Sequence, residues 1–228
     1  MTANDGVVVG HNADLVRQRM ADDWFDHHRS SGASAVMMAS RNSDVDDLNR
    51  RAHQLMADHG HLQGEPLHLD DRPFQLGDRV VCLRNDRHLN VRNGTVGNIT
   101  HIDHQHRTLT IDTPDGTRRL PGEYLDDGHV RHGYAVTIHK AQGITCDHAL
   151  FLGSDELYRE SGYVGLSRGR ESNRIYAVST TPDPEAHIPK QLRKDREPLD
   201  VLTYALEQTR AQHLGIDHDA EPDVGAGL

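Results

Sequence analysis

The sequence predicts an α/β fold interrupted by a small β-rich module, and three observations carry that expectation. Short apolar runs, Ala35 to Ala39 and His148 to Leu152, alternate with longer amphipathic stretches, which is the pattern of strands layered against helices. Between about Phe74 and Leu120 that pattern stops. There the turn pairs Gly77-Asp78, Asn93-Gly94 and Asp115-Gly116 punctuate short β-rich segments.

Taken in order, the first element is a helix of about four turns, with Asn12 as its N-cap and Leu15, Val16, Met20, Trp24 and Phe25 recurring at near-helical spacing up to Ser30–Gly32. Ala35–Ala39 is long enough for one buried strand. Ser40 to Ser43 then turn the chain into a second amphipathic helix carrying Val45, Leu48, Ala52 and Leu55 on one face. The β-rich module follows, with strands over Arg79–Leu83, Thr95–Ile102 and Thr108–Asp112. Beyond it, Tyr134–Gln142 reads as a helix stopped by Gly143, His148–Leu152 as a buried strand, Asp155–Arg168 as a helix and Arg174–Ser179 as a strand. The expected organisation is therefore 1–73 as the first part of an α/β domain, 74–120 as the inserted module, 121–181 as the second part, and 182–228 as a charged extension. That extension carries one helix, about Leu199 to His213, and a mobile end from Asp217 to Leu228.

Composition narrows the function classes. At 228 residues the chain can bury a core without metal or disulfide staples. Cys82 and Cys146 form no Cys-x-x-Cys pair, and no stretch reaches the eighteen or so apolar residues of a membrane span, so a cytoplasmic, non-membrane protein is expected. A formal charge of −10 argues against nonspecific coating of nucleic acid, which needs many basic phosphate contacts, but leaves room for a local groove. Only three of the 25 basic residues are lysines, and genome composition is sufficient to account for that bias.

Two segments carry chemistry: Gly133–Thr145 (GYAVTIHKAQGIT), followed by the run ending at Leu152, and Tyr163–Arg170 (YVGLSRGR), followed by Asn173–Val178. Together they resemble the fifth and sixth motifs of superfamily 1 DNA helicases, in the RecD-like branch that also supplies the motor of TraA/TrwC-type conjugative relaxases. Upstream, Ala39–Asn49 (ASRNSDVDDLN) looks like the fourth motif of that branch. Leu76–Val81 (LGDRVV) and Val91–Gly97 (VRNGTVG) resemble the run into the Src-homology-3-like barrel that the branch inserts between the fourth and fifth motifs. The resemblance covers roughly residues 7 to 213 and implies a RecA-like second helicase lobe with an inserted small Src-homology-3-like β-barrel.

It also implies roles. Arg168 sits where the family places the arginine that stabilises the departing γ-phosphate, a contribution of about 10³ to 10⁵ in related NTPases. Arg170 would assist it or pair with Glu171 or Asp155, and Arg41 is a further candidate phosphate contact set against the simpler reading of a helix-start arginine. Gln142, Gly143 and Thr145 would face the nucleotide cleft. Thr137, His139 and Lys140 suit the phosphate oxygens of single-stranded DNA, since a hydroxyl, an imidazole and an ammonium can all contact them. The plainer alternative makes Lys140 a solvated helix residue.

A phosphate-binding loop needs Gly-x-x-x-x-Gly-Lys followed by Ser or Thr, and the residues before Lys140, Lys190 and Lys194 are His139, Pro189 and Arg193. ATP and Mg²⁺ are thus expected only if a first motor lobe, a separately encoded partner, completes the site; alone the chain is expected to be inactive as an ATPase. Asp155-Glu156 reads as a helix start rather than a Mg²⁺ pair. No His-x-His cluster with a tyrosine nucleophile near the N-terminus suggests a nicking centre. No metal is expected: the cluster His101, Asp103, His104 and His106 falls at a hairpin tip where polar residues belong anyway. Three readings stay open at this point: a motor half acting with a first lobe, a noncatalytic module binding single-stranded DNA or a protein, and a truncated remnant without activity.

Overall fold

The computed structural model describes residues 2–4, 6–31, 34–153 and 168–178. The chain opens with β1 (Thr2–Asn4) and β2 (Val7–Gly10), then α1 (Ala13–Ser31), β3 (Ala35–Ala39) and α2 (Asn42–Asp58). Seven strands and one short helix follow before the first layer resumes: β4 (Gln63–Leu69), β5 (Arg72–Leu76), β6 (Arg79–Cys82), β7 (Val96–Asp103), β8 (Thr108–Thr113), β9 (Gly116–Leu120), α3 (Gly122–Asp126) and β10 (Val130–His132). The last described elements are β11 (Ala135–Thr137), β12 (Cys146–Gly153) and β13 (Gly169–Val178).

One sheet has the order β1-β2-β13-β12-β3-β11, parallel throughout except for the edge pair β1–β2. Both faces are covered, which is why β3 and the Ala149–Leu152 part of β12 are apolar at consecutive rather than alternate positions. Met37, Ala39, Leu150, Leu152 and Tyr176 point to the face packed by Val16, Met20 and Trp24 of α1 and Leu48 and Ala52 of α2. Met38, Ala149, Phe151 and Ile175 point to the other, where Ile138 and Ala141 cover them. The second sheet, β10-β6-β7-β8-β9, is antiparallel and encloses its own core of Phe74, Val80, Ile99, Leu109, Ile111 and Leu120. All of this β-rich stretch, from Gln63 to His132, lies in sequence between β3 and β11, two neighbours in the parallel sheet.

Several local expectations hold in detail. Asn12 caps α1, its Oδ1 accepting the amides of Asp14 at 2.8 Å and Leu15 at 3.1 Å. Gly77, Gly94 and Gly116 all adopt positive φ, the backbone state their turn positions demand. Others do not. The helix expected over Tyr134–Gln142 is instead β11 followed by turns, because Ala135–Thr137 hydrogen-bond beside Met37–Ala39 and tertiary pairing overrides the helix-like spacing of the segment. Arg168, the expected last residue of a helix, is in a bend, and the strand placed at Arg174 begins earlier, at Gly169. The remainder of the Asp155–Arg168 helix, the acid pair Asp155-Glu156, the Tyr163–Ser167 part of the sixth-motif segment and the whole 182–228 extension lie outside the described residues.

Candidate functional site

The three motif segments, distant in sequence, fall on adjacent strands. The fourth follows β3, the fifth spans β11 and the connection to β12, and the sixth leads into β13, which pairs with β12. Register fixes which end of the strands each residue occupies. Thr137 lies beside Ala39 and Ile138 donates its amide to the Ala39 carbonyl at 3.1 Å, so Thr137 stands at the C-terminal end of the parallel strands together with Ser40 and Arg41. His139 and Lys140 follow directly and are exposed, while Ile138 and Ala141 turn inward as the apolar anchors of the same turn. Gly143 has φ +85 in this turn rather than after a helix.

The connection then delivers Thr145 to the other end. Cys146 begins β12 beside Gly169, and its amide donates to the Arg168 carbonyl at 3.0 Å. Thr145, Arg168 and Arg170 therefore share the N-terminal end of the sheet, with Gln142 and Gly143 exposed on the way there. At about 3.3 Å of rise per residue, roughly 20 Å of strand separates this group from Thr137 and Arg41. Arg41 thus departs from its expected place with the nucleotide group: it is an exposed residue at the N-cap of α2, at the Thr137 end of the sheet.

Arg170 is also placed differently from either expected pairing. Its Nη2 lies 3.0 Å from Asp147 Oδ1, and Asp147 in turn accepts the Ser34 amide at 2.8 Å and hydroxyl at 2.9 Å. Those Ser34 hydrogen bonds, with the nearby Arg170 charge, hold the Asp147 carboxyl below its ordinary value. Gly169 is obligatory in this corner. A Cβ there would stand 2.0 Å from the Ser172 carbonyl oxygen, and the Asn173 side chain closes the turn by accepting the Gly169 amide and donating to its carbonyl, both at 2.9 Å.

Sequence reading missed a buried polar centre where α2 meets the β-module. Asp78, fully buried, accepts the Tyr134 hydroxyl on Oδ1 at 2.6 Å and the Gln75 amide on Oδ2 at 2.7 Å. His53 Nδ1 lies 2.9 Å and His132 Nε2 3.7 Å from the same Oδ1. Burial pushes the Asp78 carboxyl up, but the two imidazoles outweigh it and hold the group well below the usual carboxylate range. Burial and the Asp78 charge push the Tyr134 hydroxyl up, so it remains a donor. Beside this centre Asn49 accepts the amides of Tyr134 at 2.9 Å and Ala135 at 2.8 Å and donates to the Ala135 carbonyl at 3.2 Å, stitching α2 to β11. The available signal was periodicity: Asn49 and His53 fall on the apolar face of α2 with Leu48, Ala52 and Met56, where a polar residue needs a buried partner.

The hairpin histidines form no comparable centre. Asp103 accepts the His106 amide at 3.0 Å and faces its Nδ1 at 2.8 Å, which closes the turn, and His101 and His104 are exposed outside that contact.

No protein-family model matches the chain. Among curated proteins, the conjugal transfer protein TraA of Rhizobium radiobacter is 32% identical over 164 residues, 70% of this chain and 15% of its own length. TraA of Agrobacterium fabrum is 30% identical over 174 residues, 74% of this chain and 16% of its own. The chain thus spans about 15% of the length of the relatives it matches. Among solved structures, Bacteroides Pif1 bound to single-stranded DNA aligns with a TM-score of 0.47 at 19% identity, covering 68% of this chain and 44% of that one. By sequence, the chain belongs to the TraA conjugal-transfer family, as the counterpart of one segment of those longer proteins.

Proposed function

We propose that the chain is the second motor lobe of a superfamily 1 DNA helicase of the RecD-like, conjugative type, a RecA-like layer whose β-module is the Src-homology-3-like barrel of that branch. The observation that carries this reading is the sorting of motif residues by strand end. Thr137, His139 and Lys140 stand at the C-terminal end of the parallel strands, and Thr145, Arg168 and Arg170 at the N-terminal end. A motor lobe needs such a separation, because DNA and nucleotide must be gripped at once without sharing ligands.

In this reading the exposed turn at His139 and Lys140 contacts the phosphates of single-stranded DNA, with Arg41 joining that group rather than the nucleotide. Gln142, Gly143 and Thr145 line the nucleotide side, and the Arg168 guanidinium stabilises the γ-phosphate as it departs. Arg170, held by Asp147, fixes the strand start that presents Arg168. ATP with Mg²⁺ is bound only when a first lobe outside these 228 residues supplies the phosphate-binding loop, so the chain by itself does not hydrolyse ATP.

The test is fluorescence anisotropy of a labelled oligothymidylate with the purified chain at low salt. Saturable binding is expected, weakening as salt rises by about 0.7 log units of affinity per log unit of salt for each phosphate contact. The His139→Ala/Lys140→Ala double variant should lose roughly tenfold, the equivalent of one good charged contact. A folded wild-type chain that does not bind would overturn the DNA-gripping role and leave a remnant or a protein-binding module.

A further inference from the structure

We propose that His53, Asp78 and His132 form a buried site for one divalent transition-metal ion of the zinc type, which clasps the β-module to the α/β layer. The three ligands come from three elements: α2, the turn between β5 and β6, and β10, which pairs with β6. Their candidate ligand atoms all lie within 4.8 Å of one another. Two imidazoles and one carboxylate are a donor set that suits zinc and its neighbours.

Charge makes the first argument. A fully buried carboxylate requires a compensating positive charge, since an unpaired buried ion costs several kcal/mol or more in stability. Among the described residues no arginine or lysine forms an ion pair with Asp78; only the two imidazoles face it. The compensating charge is therefore either a proton on an imidazole or a bound cation.

The geometry at His132 favours the cation. His132 is 5% exposed, and its Nε2 is buried without a hydrogen-bond partner. An imidazolium closes on a carboxylate to about 2.8 Å, a distance that His53 Nδ1 meets at 2.9 Å, whereas the His132 nitrogen stands off at 3.7 Å from Oδ1 with no hydrogen bond of its own. Ligand atoms placed tetrahedrally around an ion at about 2.0–2.1 Å are separated by about 3.4 Å, and the observed 2.9 and 3.7 Å bracket that value. The supporting shell is also present. The Tyr134 hydroxyl and the Gln75 amide fix the carboxylate orientation from outside, the role that second-shell donors play around metal ligands. Three protein ligands leave the fourth position to a water.

The site does not depend on the helicase reading. Its consequence is mechanical: metal would lock the β-module against α2, coupling the two cores through one ion.

The full chain, stripped with EDTA, is titrated with zinc chloride, following stoichiometry by native mass spectrometry and unfolding by differential scanning calorimetry. One zinc per chain is expected, with a Tm that rises with zinc concentration. His132→Gln keeps a polar side chain of similar reach and should lose both effects while retaining the far-ultraviolet spectrum of the wild type. Wild type without stoichiometric zinc, or His132→Gln binding as well as wild type through other histidines, would overturn the site in favour of an imidazolium. Should His132→Gln fail to fold, cobalt substitution of the wild type decides the matter: visible d–d absorption saturating at one equivalent supports the site, and its absence refutes it.

Discussion

At the scale of single residues, the junction between α2 and the parallel sheet rests on a few polar side chains rather than on apolar contact alone. Asn49→Ala removes three hydrogen bonds at once and leaves the amides of Tyr134 and Ala135 unpaired in a buried setting. At about 1–3 kcal/mol for each unsatisfied group, a loss of about 3 kcal/mol is expected, read as a lower urea midpoint at unchanged m-value. Asp47 gives a pH-dependent counterpart. Burial acts to raise its pKa, but hydrogen bonds from Arg51 and Arg50 outweigh that and lower it. A depressed folded-state pKa stabilises the fold above the unfolded value, about 3.9, and that contribution disappears as pH falls through the folded value. Asp47→Asn should therefore flatten part of the acid limb of a stability-versus-pH curve below about pH 5. By contrast, Arg170→Ala breaks a surface pair with Asp147 and should leave the urea midpoint unchanged within error.

At the scale of elements, the two glycines that matter most, Gly97 and Gly169, are those where backbone meets backbone. A Cβ at Gly97, in β7, would stand 2.6 Å from the Asp112 carbonyl oxygen of the neighbouring strand, and a carbonyl cannot swing aside as a side chain can. Gly97→Ala should cost about 1–3 kcal/mol and loosen the β-module first, seen as faster amide exchange in β7 and β8 than in β3. The same scale shows what was legible in the sequence. α1, β3 and α2 were readable because each is set by local signals: the Asn12 cap, a five-residue apolar run, and a stripe of Leu48, Ala52 and their neighbours. The turns of the β-module were readable because Gly77, Gly94 and Gly116 are demanded by backbone geometry. β11 was not, since its three residues become a strand only by lying beside β3, a partner about a hundred residues earlier. The short pieces β2 and β10 were missed for the same reason: β10 is held by Val80–Cys82 alone, and β2, besides its pairing with β1, joins the parallel sheet only beside Ile175–Val178.

At the scale of the whole molecule, one feature of the site was legible and another was not. The resemblance grouped these residues by motif, but only the register of the sheet shows that they divide between its two ends, and that Arg41 falls with Thr137 instead of Arg168. The buried centre at Asp78 was hidden because His53, Asp78 and His132 come from a helix, a turn and a strand, each of which reads as ordinary in isolation. No described helix is long and apolar enough to cross a membrane. In the proposed function, one end of the parallel sheet grips single-stranded DNA while the other serves nucleotide. The most direct measurement is amide chemical-shift mapping of the isotope-labelled chain during titration with an oligothymidylate at low salt. Saturating shifts are expected at Arg41 and from Thr137 to Lys140, with Cys146, Arg168 and Arg170 unmoved. Shifts centred on Arg168 and Arg170, or confined to the β-module, would contradict the proposed function.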